Sequence, residues 1–199
     1  MEIKRIAVFI SGGGSTFKYI HEAIKRGELG DDTKIAVVVS SDPNAGGLKY
    51  AEDAGIPSCM FLRECYSTPK AFGEFILAIT EEHEVDFICM AGFLKLMPEN
   101  VLEKFKGRIL NQHPGDTTKY GGPGMYGIRV HQAVLAAGEK RTCVTIHHAT
   151  PKYDEGPILV QMWIDVPESI TAEGLQKLLL PVEHVAYVAA IKALKALAV

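Results

Sequence analysis

The chain has little of several things that would narrow its role at once. Cysteine is scarce: Cys59, Cys65, Cys89 and Cys143 are the four in 199 residues, and no two form a Cys-x-x-Cys pair. Neither a zinc site nor a disulfide framework is expected from that spacing, and no metal is expected. Cys89 and Cys143 lie in apolar runs and read as small core hydrophobes. An excess of one charge is also lacking. Lys and Arg total 21 against 24 Asp and Glu, a net charge of −3. That balance leaves no basic footprint for nucleic acid, and the scattered cations form no polybasic patch for a membrane. Long hydrophobic runs are absent too. The first ends at Ile10, too short for a signal peptide or a spanning helix, and later ones are broken by charges. A cytoplasmic protein is the expectation.

What is present is ordinary for a folded chain: 47% hydrophobic and 23% charged residues, with enough length for one domain over 1–199 and a sizeable core. "RIAVFI" (5–10) reads as a buried strand entering the tight loop "SGGGS". Phe17, Ile20, Ala23 and Ile24 then fall at helical spacing before Gly27. Further strands are expected at 33–41, 58–62 (weak), 85–91, 108–111, 141–150 and 157–166. Helices are expected between them, one capped by Ser67 or Thr68 before Pro69. A closing helix over 171–199 carries Pro181, a site for a kink. Strand and helix alternate through the first half, and the last two strands lack a full helix between them. The pattern is a single α/β domain: a mostly parallel, twisted sheet with helices on both faces and an antiparallel edge.

Such sheets take ligands beyond the carboxyl ends of their strands, and three polar segments fall there. In "SGGGST", glycines free backbone N–H groups to face an anion at a helix N-terminus. A plain strand-to-helix turn explains them equally well. There is no P-loop lysine, and Phe17 breaks the GxGxxG spacing of a dinucleotide site. In "NQHP", Asn111 and His113 point to one side of a strand, where an amide and an imidazole can polarise a carbonyl and steady an oxyanion. A strand-end cap and a buried structural histidine are the alternative. In "KYDEGP", Asp154 is either a turn aspartate bonded to its own loop or the carboxylate that fixes the charge of His113.

Taken in order, "AVFISGGGST", "FICMAGFLKLM", "RILNQHP", "VTIHHATPKYDEGPILVQ" and "VEH" resemble the glycinamide ribonucleotide formyltransferase family over residues 5–190. The resemblance implies a Rossmann-like formyltransferase fold. It also implies transfer of the formyl group of 10-formyltetrahydrofolate, a co-substrate, to the amine of glycinamide ribonucleotide in purine synthesis. Asn111, His113 and Asp154 would form the catalytic group, with His113 cationic, Asn111 on the oxyanion and Asp154 assisting proton transfer. Gly12, Gly13, Gly14 and Ser15 would hold the substrate phosphate, and Glu183 the ribose. Met90, Phe93, Lys95, Leu96, Met97, His148, Ala149 and Thr150 would flank the folate, Lys95 standing where the family usually has arginine. Thr145 and His147 would support the carboxylate. Partners are then small molecules, with a monomer or homodimer expected.

The departure is the stretch Gly115–Gly127, about four residues longer than the family's usual Ser-Leu-Leu-Pro-Lys-Tyr-Pro-Gly loop. Gly121, Gly122, Gly124 and Gly127 suggest positive φ angles and a mobile lid. Because this loop borders the pocket, other readings stay open. They are a formyltransferase acting on a different phosphorylated amine, a formyltetrahydrofolate hydrolase, and a catalytically silent nucleotide-binding protein.

Overall fold

The apolar runs fold into one seven-stranded sheet with the order β3-β2-β1-β4-β5-β6-β7. Its strands are β1 (Arg5–Ile10), β2 (Lys34–Ser40), β3 (Ser58–Met60), β4 (Phe87–Met90), β5 (Ile109–His113), β6 (Arg141–His148) and β7 (Ile158–Asp165). The computed structural model describes residues 4–197. The ends of the expected 1–199 domain, including positions 198 and 199 of the closing helix, lie outside the described residues.

The first five strands run parallel, while β6 and β7 join antiparallel at the edge. Helices cover both faces, so the inner strands are apolar at successive positions rather than alternately. On one face Ile6, Val8, Ile10 and Leu110 pack with Phe17 of α1 (Ser15–Lys25), Val130 of α6 (Ile128–Ala136) and Tyr187 of α7 (Ala172–Leu197). On the other, Ala7, Phe9, Ile88 and Ile109 pack with Phe72 of α3 (Pro69–Glu82) and Val101 of α4 (Glu99–Lys104). A short α2 (Gly46–Asp53) lies between β2 and β3. Among the described residues no helix is long and apolar enough to cross a membrane.

Local chemistry sets the boundaries. Thr68 is the cap of α3, its Oγ1 accepting from Ala71 N–H at 3.1 Å, and Gly27 closes α1 at φ +74°. The closing helix is α7, with Pro181 inside it. Two expectations change. Strand five continues past Asn111 to His113, because β6 pairs with it as far as Thr145. The glycine-rich stretch is not an open span, since it contains the helical turn α5 (Thr117–Tyr120), capped by Asp116 through Thr118 N–H at 3.0 Å.

Strand order reverses direction between β1 and β4, the position where a crevice opens at the carboxyl edge of an open parallel sheet. The loops after β1 and β4 meet there, with Leu94 N–H donating to Ser11 Oγ at 3.1 Å.

Candidate active site

The site begins with alternation along β5. Asn111 and His113 project to one side and Gln112 to the other. Antiparallel β6 sets His147 opposite Asn111 and Thr145 opposite His113. Asp154 reaches the same place from the turn between β6 and β7. It holds a left-handed φ of +57°, a conformation aspartate tolerates better than most residues. Gly156 makes that turn possible, because a side chain there would collide with the His148 carbonyl.

The polar atoms form a closed network. His113 Nε2 lies 2.8 Å from the Tyr120 carbonyl, an acceptor only, so Nε2 carries the hydrogen and donates. His113 Nδ1 faces Asp154 Oδ2 at 3.4 Å. That same Oδ2 accepts from Gly122 N–H at 3.0 Å. His147 Nδ1–H donates to the His148 carbonyl at 3.0 Å, which leaves Nε2 to accept from Asn111 Nδ2 at 3.1 Å. The remaining Asn111 hydrogen reaches Asp154 Oδ1 at 3.4 Å, the weakest bond of the set and the one a substrate oxygen can most easily replace. Behind this layer Thr145 Oγ1 donates to Gly115 O at 2.7 Å and accepts from Gln161 at 3.2 Å.

His113, expected to be cationic in the reaction, is 3% exposed. Burial outweighs the attraction of Asp154 and pushes its pKa below the ordinary imidazole value. For Asp154, burial acts upward. The imidazoles of His147 and His113 and the Gly122 N–H overcome it and hold the carboxyl below its ordinary value.

A cavity of about 450 Å³ opens over this network. Asn111, His113, His147 and Asp154 line it, as do Glu183 and the folate candidates Met90, Phe93, Lys95, Leu96, Met97, Ala149 and Thr150. Phe93 and Met97 are core residues with one surface on the cavity, whereas Leu96 is 39% exposed. His148 does not line it. One residue along β6 from His147, it shares a face with Leu110 instead. Thr145 is buried behind the wall.

The glycine loop also lies outside the cavity lining, at the same edge of the sheet. Gly14 begins α1 at φ +69°, with no side-chain cap among the described residues. A Cβ on Gly14 would come 2.9 Å from Gly47 Cα, while one on Gly12 or Gly13 would meet nothing within 4 Å. The loop is thus pressed against the start of α2 on one side and open on the other. Thr16 Oγ1 donates to Gln112 Oε1 at 3.3 Å, and Gln112 Nε2 donates to Glu183 Oε2 at 2.8 Å, linking the glycine loop to the cavity. Burial lifts Glu183 to about 7 despite that bond.

Gln112 and the backbone groups of Tyr120 and Gly122 join the network without having been expected there from the sequence. Gln112 was findable as a polar residue inside a strand end, whereas Tyr120 and Gly122 act through backbone atoms and carry no side-chain signal. Gly121 is needed for close approach rather than for a positive φ. A Cβ there would meet Thr117 O at 2.5 Å and Asp154 Cβ at 3.0 Å.

The chain is similar to proteins of one known family. Residues 4–191 match the formyl transferase family. A chloroplastic phosphoribosylglycinamide formyltransferase of Vigna unguiculata is 41% identical over 96% of this chain. The chain spans 61% of that relative's own length, and 65% and 63% of two other plant relatives. The Bacillus subtilis phosphoribosylglycinamide formyltransferase is 33% identical, covering 96% of this chain and 95% of its own. Among solved structures, the Brucella melitensis phosphoribosylglycinamide formyltransferase superposes with a TM-score of 0.86 at 35% identity, covering 98% of this chain and 97% of that one. A formyltetrahydrofolate deformylase from Pseudomonas syringae shares the fold, with a TM-score of 0.83 at 20% identity over 98% of this chain and 62% of that one. The chain belongs to the formyl transferase family.

Proposed function

We propose that this chain transfers the formyl group of 10-formyltetrahydrofolate to the amine of glycinamide ribonucleotide, a step of purine synthesis. One observation carries the reading: the Asn111 amide and the His113 imidazole each lie 3.4 Å from the Asp154 carboxylate, in the wall of a cavity at the carboxyl ends of β4 and β5. The names of the relatives support the acceptor and, through the family, the folate donor.

The amine attacks the formyl carbon, a C–N bond forms, and the carbonyl oxygen becomes an oxyanion. Asn111 turns its weakly used hydrogen from Asp154 to that oxygen. Asp154 accepts the proton released by the amine and passes it to His113 Nδ1. There it creates the imidazolium only when negative charge has developed nearby. Collapse breaks the bond to the folate nitrogen, which takes the proton held by His113 and leaves as tetrahydrofolate, returning the site to its starting state. Met90, Phe93, Met97 and Ala149 offer the apolar wall a pteridine ring needs. Gly12, Gly13, Gly14 and Ser15 receive the phosphate on backbone N–H groups at the start of α1, and Glu183 accepts from ribose hydroxyls. His147 and Thr145 hold the network in register. The protein acts on small molecules in the cytoplasm.

A second acceptor has one observation in its favour: Gly122 to Gly127 all line the cavity, so the lengthened loop shapes where the amine lies. The test is an assay of 10-formyltetrahydrofolate with a panel of phosphorylated amines, glycinamide ribonucleotide among them, and with water alone. Turnover confined to another amine would reassign the acceptor, and turnover with water alone would make the protein a hydrolase.

A further inference from the structure

Gln112 sits where the two proposed acceptor contacts meet. Its side chain leaves β5 on the side opposite Asn111 and His113, and it lines the cavity together with Glu183. Its Oε1 accepts from Thr16 Oγ1 at 3.3 Å, and its Nε2 donates to Glu183 Oε2 at 2.8 Å. Thr16 is the second residue of α1, directly after the glycine loop. One amide thus joins the phosphate end proposed for the acceptor to the carboxylate proposed for its ribose.

The amide has a fixed direction. The Thr16 hydroxyl can donate or accept, so it does not decide which way the amide points. The ionised Glu183 carboxylate only accepts, and it draws the nitrogen end to itself. Each partner then has a group to spare. The Gln112 nitrogen carries two hydrogens, and one of them is used among the described residues. Glu183 Oε1 accepts from no group among the described residues. A donor and an acceptor therefore stand side by side on groups joined by a single bond of 2.8 Å. Hydroxyls on neighbouring carbons are the complement: one donates to Glu183 Oε1 and the other accepts from Gln112 Nε2. A carboxylate alone offers only acceptors and tells a diol from a single hydroxyl less sharply. A sugar lacking one hydroxyl leaves a polar group of the cavity wall unmatched.

We propose that Gln112 is a specificity-determining residue of the acceptor site, reading with Glu183 the vicinal hydroxyls of a ribose and so favouring phosphorylated ribosides over their 2-deoxy counterparts. This rests on the acceptor's phosphate and ribose lying where they are placed in the function proposed above.

The experiment is calorimetric binding of ribose 5-phosphate and 2-deoxyribose 5-phosphate to the full chain at pH 8, above the value near 7 of the Glu183 carboxyl. Neither probe requires formyl transfer. Wild type should bind the ribose compound about tenfold more tightly, the scale of one hydrogen bond whose partner is left unmatched. Gln112→Met keeps the length of the side chain without its polar atoms. The ratio should fall to about twofold or less in that variant, with binding of a folate analogue unchanged. Gln112→Glu keeps an oxygen but has no hydrogen to donate, and it should lose the preference too. A tenfold ratio surviving in either variant would make Gln112 a structural brace between α1 and α7 and overturn the inference. So would a wild type that binds both sugars alike or neither, or an equal loss of folate binding in Gln112→Met. A preference present in wild type and lost in both variants, without formyl transfer to glycinamide ribonucleotide, would keep the diol site and remove the proposed acceptor.

Discussion

Gln112 donates from Nε2 to Oε2 of Glu183 at 2.8 Å, tying the strand that carries Asn111 and His113 to the last helix. Since Gln112 faces the opposite side of β5 from those two, the strand end serves two halves of one cavity: the reacting groups on one side, the proposed acceptor contacts on the other.

Glu183 therefore gives a prediction with two readouts. Burial raises its carboxyl to about 7 from an ordinary 4.5. As pH rises past 4.5 the unfolded chain ionises first, so stability is lost until about pH 7 and the loss is complete above it. The total is about 3 kcal/mol. Thermal melts between acidic and weakly alkaline pH should fall less steeply for Glu183→Gln than for wild type. A carboxylate also accepts hydroxyl donors better than a carboxylic acid, so the acceptor KM of wild type should fall as pH rises through about 7. That fall should vanish in Glu183→Gln. Identical KM profiles would remove Glu183 from the acceptor's contacts.

The reacting trio should behave as a unit. His113→Ala, Asn111→Ala and Asp154→Ala are each expected to lower kcat about 100-fold or more, the scale for losing an oxyanion donor or an acid–base group. Because His113 and Asp154 are buried against each other, alanine also leaves a partner unmatched. Asp154→Asn is the control that keeps the volume. Double variants should cost far less than the product of the singles. Near-normal turnover in Asp154→Ala would return that residue to being a turn aspartate.

The glycine loop separates binding from folding unusually well. Gly13 has a φ that ordinary residues adopt, and a Cβ there meets nothing. Gly13→Val should therefore leave the melting temperature nearly unchanged while raising the acceptor KM well above any change in the folate KM, by blocking phosphate from the backbone. Gly14→Ala should do the reverse. Its φ of +69° and the 2.9 Å approach to Gly47 Cα make it a folding defect of about 1 kcal/mol or more. Equal shifts in both KM values for Gly13→Val would place the phosphate elsewhere.

These residues show what could be read from the sequence. Strand–helix alternation located the sheet, and the polar end of β5 marked Asn111 and His113, because both are periodic or side-chain signals; the trio as a set came from the family resemblance. Alternation along β6 alone would have separated His148 from His147. The role of the 115–127 loop was not legible, since its work is done by the carbonyl of Tyr120 and the N–H of Gly122. Backbone groups are common to every residue, so only their placement makes these two specific. The downward shift of the His113 pKa was also hidden. It depends on how completely the surrounding chain excludes water, which no local motif encodes.

His131 supplies the last prediction. It lies in the first turns of α6, fully buried and in the cavity wall, and neither ring nitrogen has a hydrogen-bond partner among the described residues. Burial, with His113 nearby, pushes its pKa from 6.5 to about 4. Well above pH 6.5 the ring is uncharged in both folded and unfolded chains, so it contributes no pH dependence there. Below 6.5 the unfolded chain binds a proton that the folded one refuses, and stability falls until about pH 4, by about 3 kcal/mol in all. His113, His148 and His184 shift the same way and add to the acid loss, so wild type alone cannot assign it. The comparison with His131→Leu can. That variant replaces two unpaired nitrogens by an apolar side chain of similar size, so it should be as stable as wild type or more so at neutral pH. Its advantage should widen steadily as the pH drops from 6.5 to 4. Melting curves of the two proteins across that range are the measurement. Parallel curves would mean that the ring takes up its proton in the folded state.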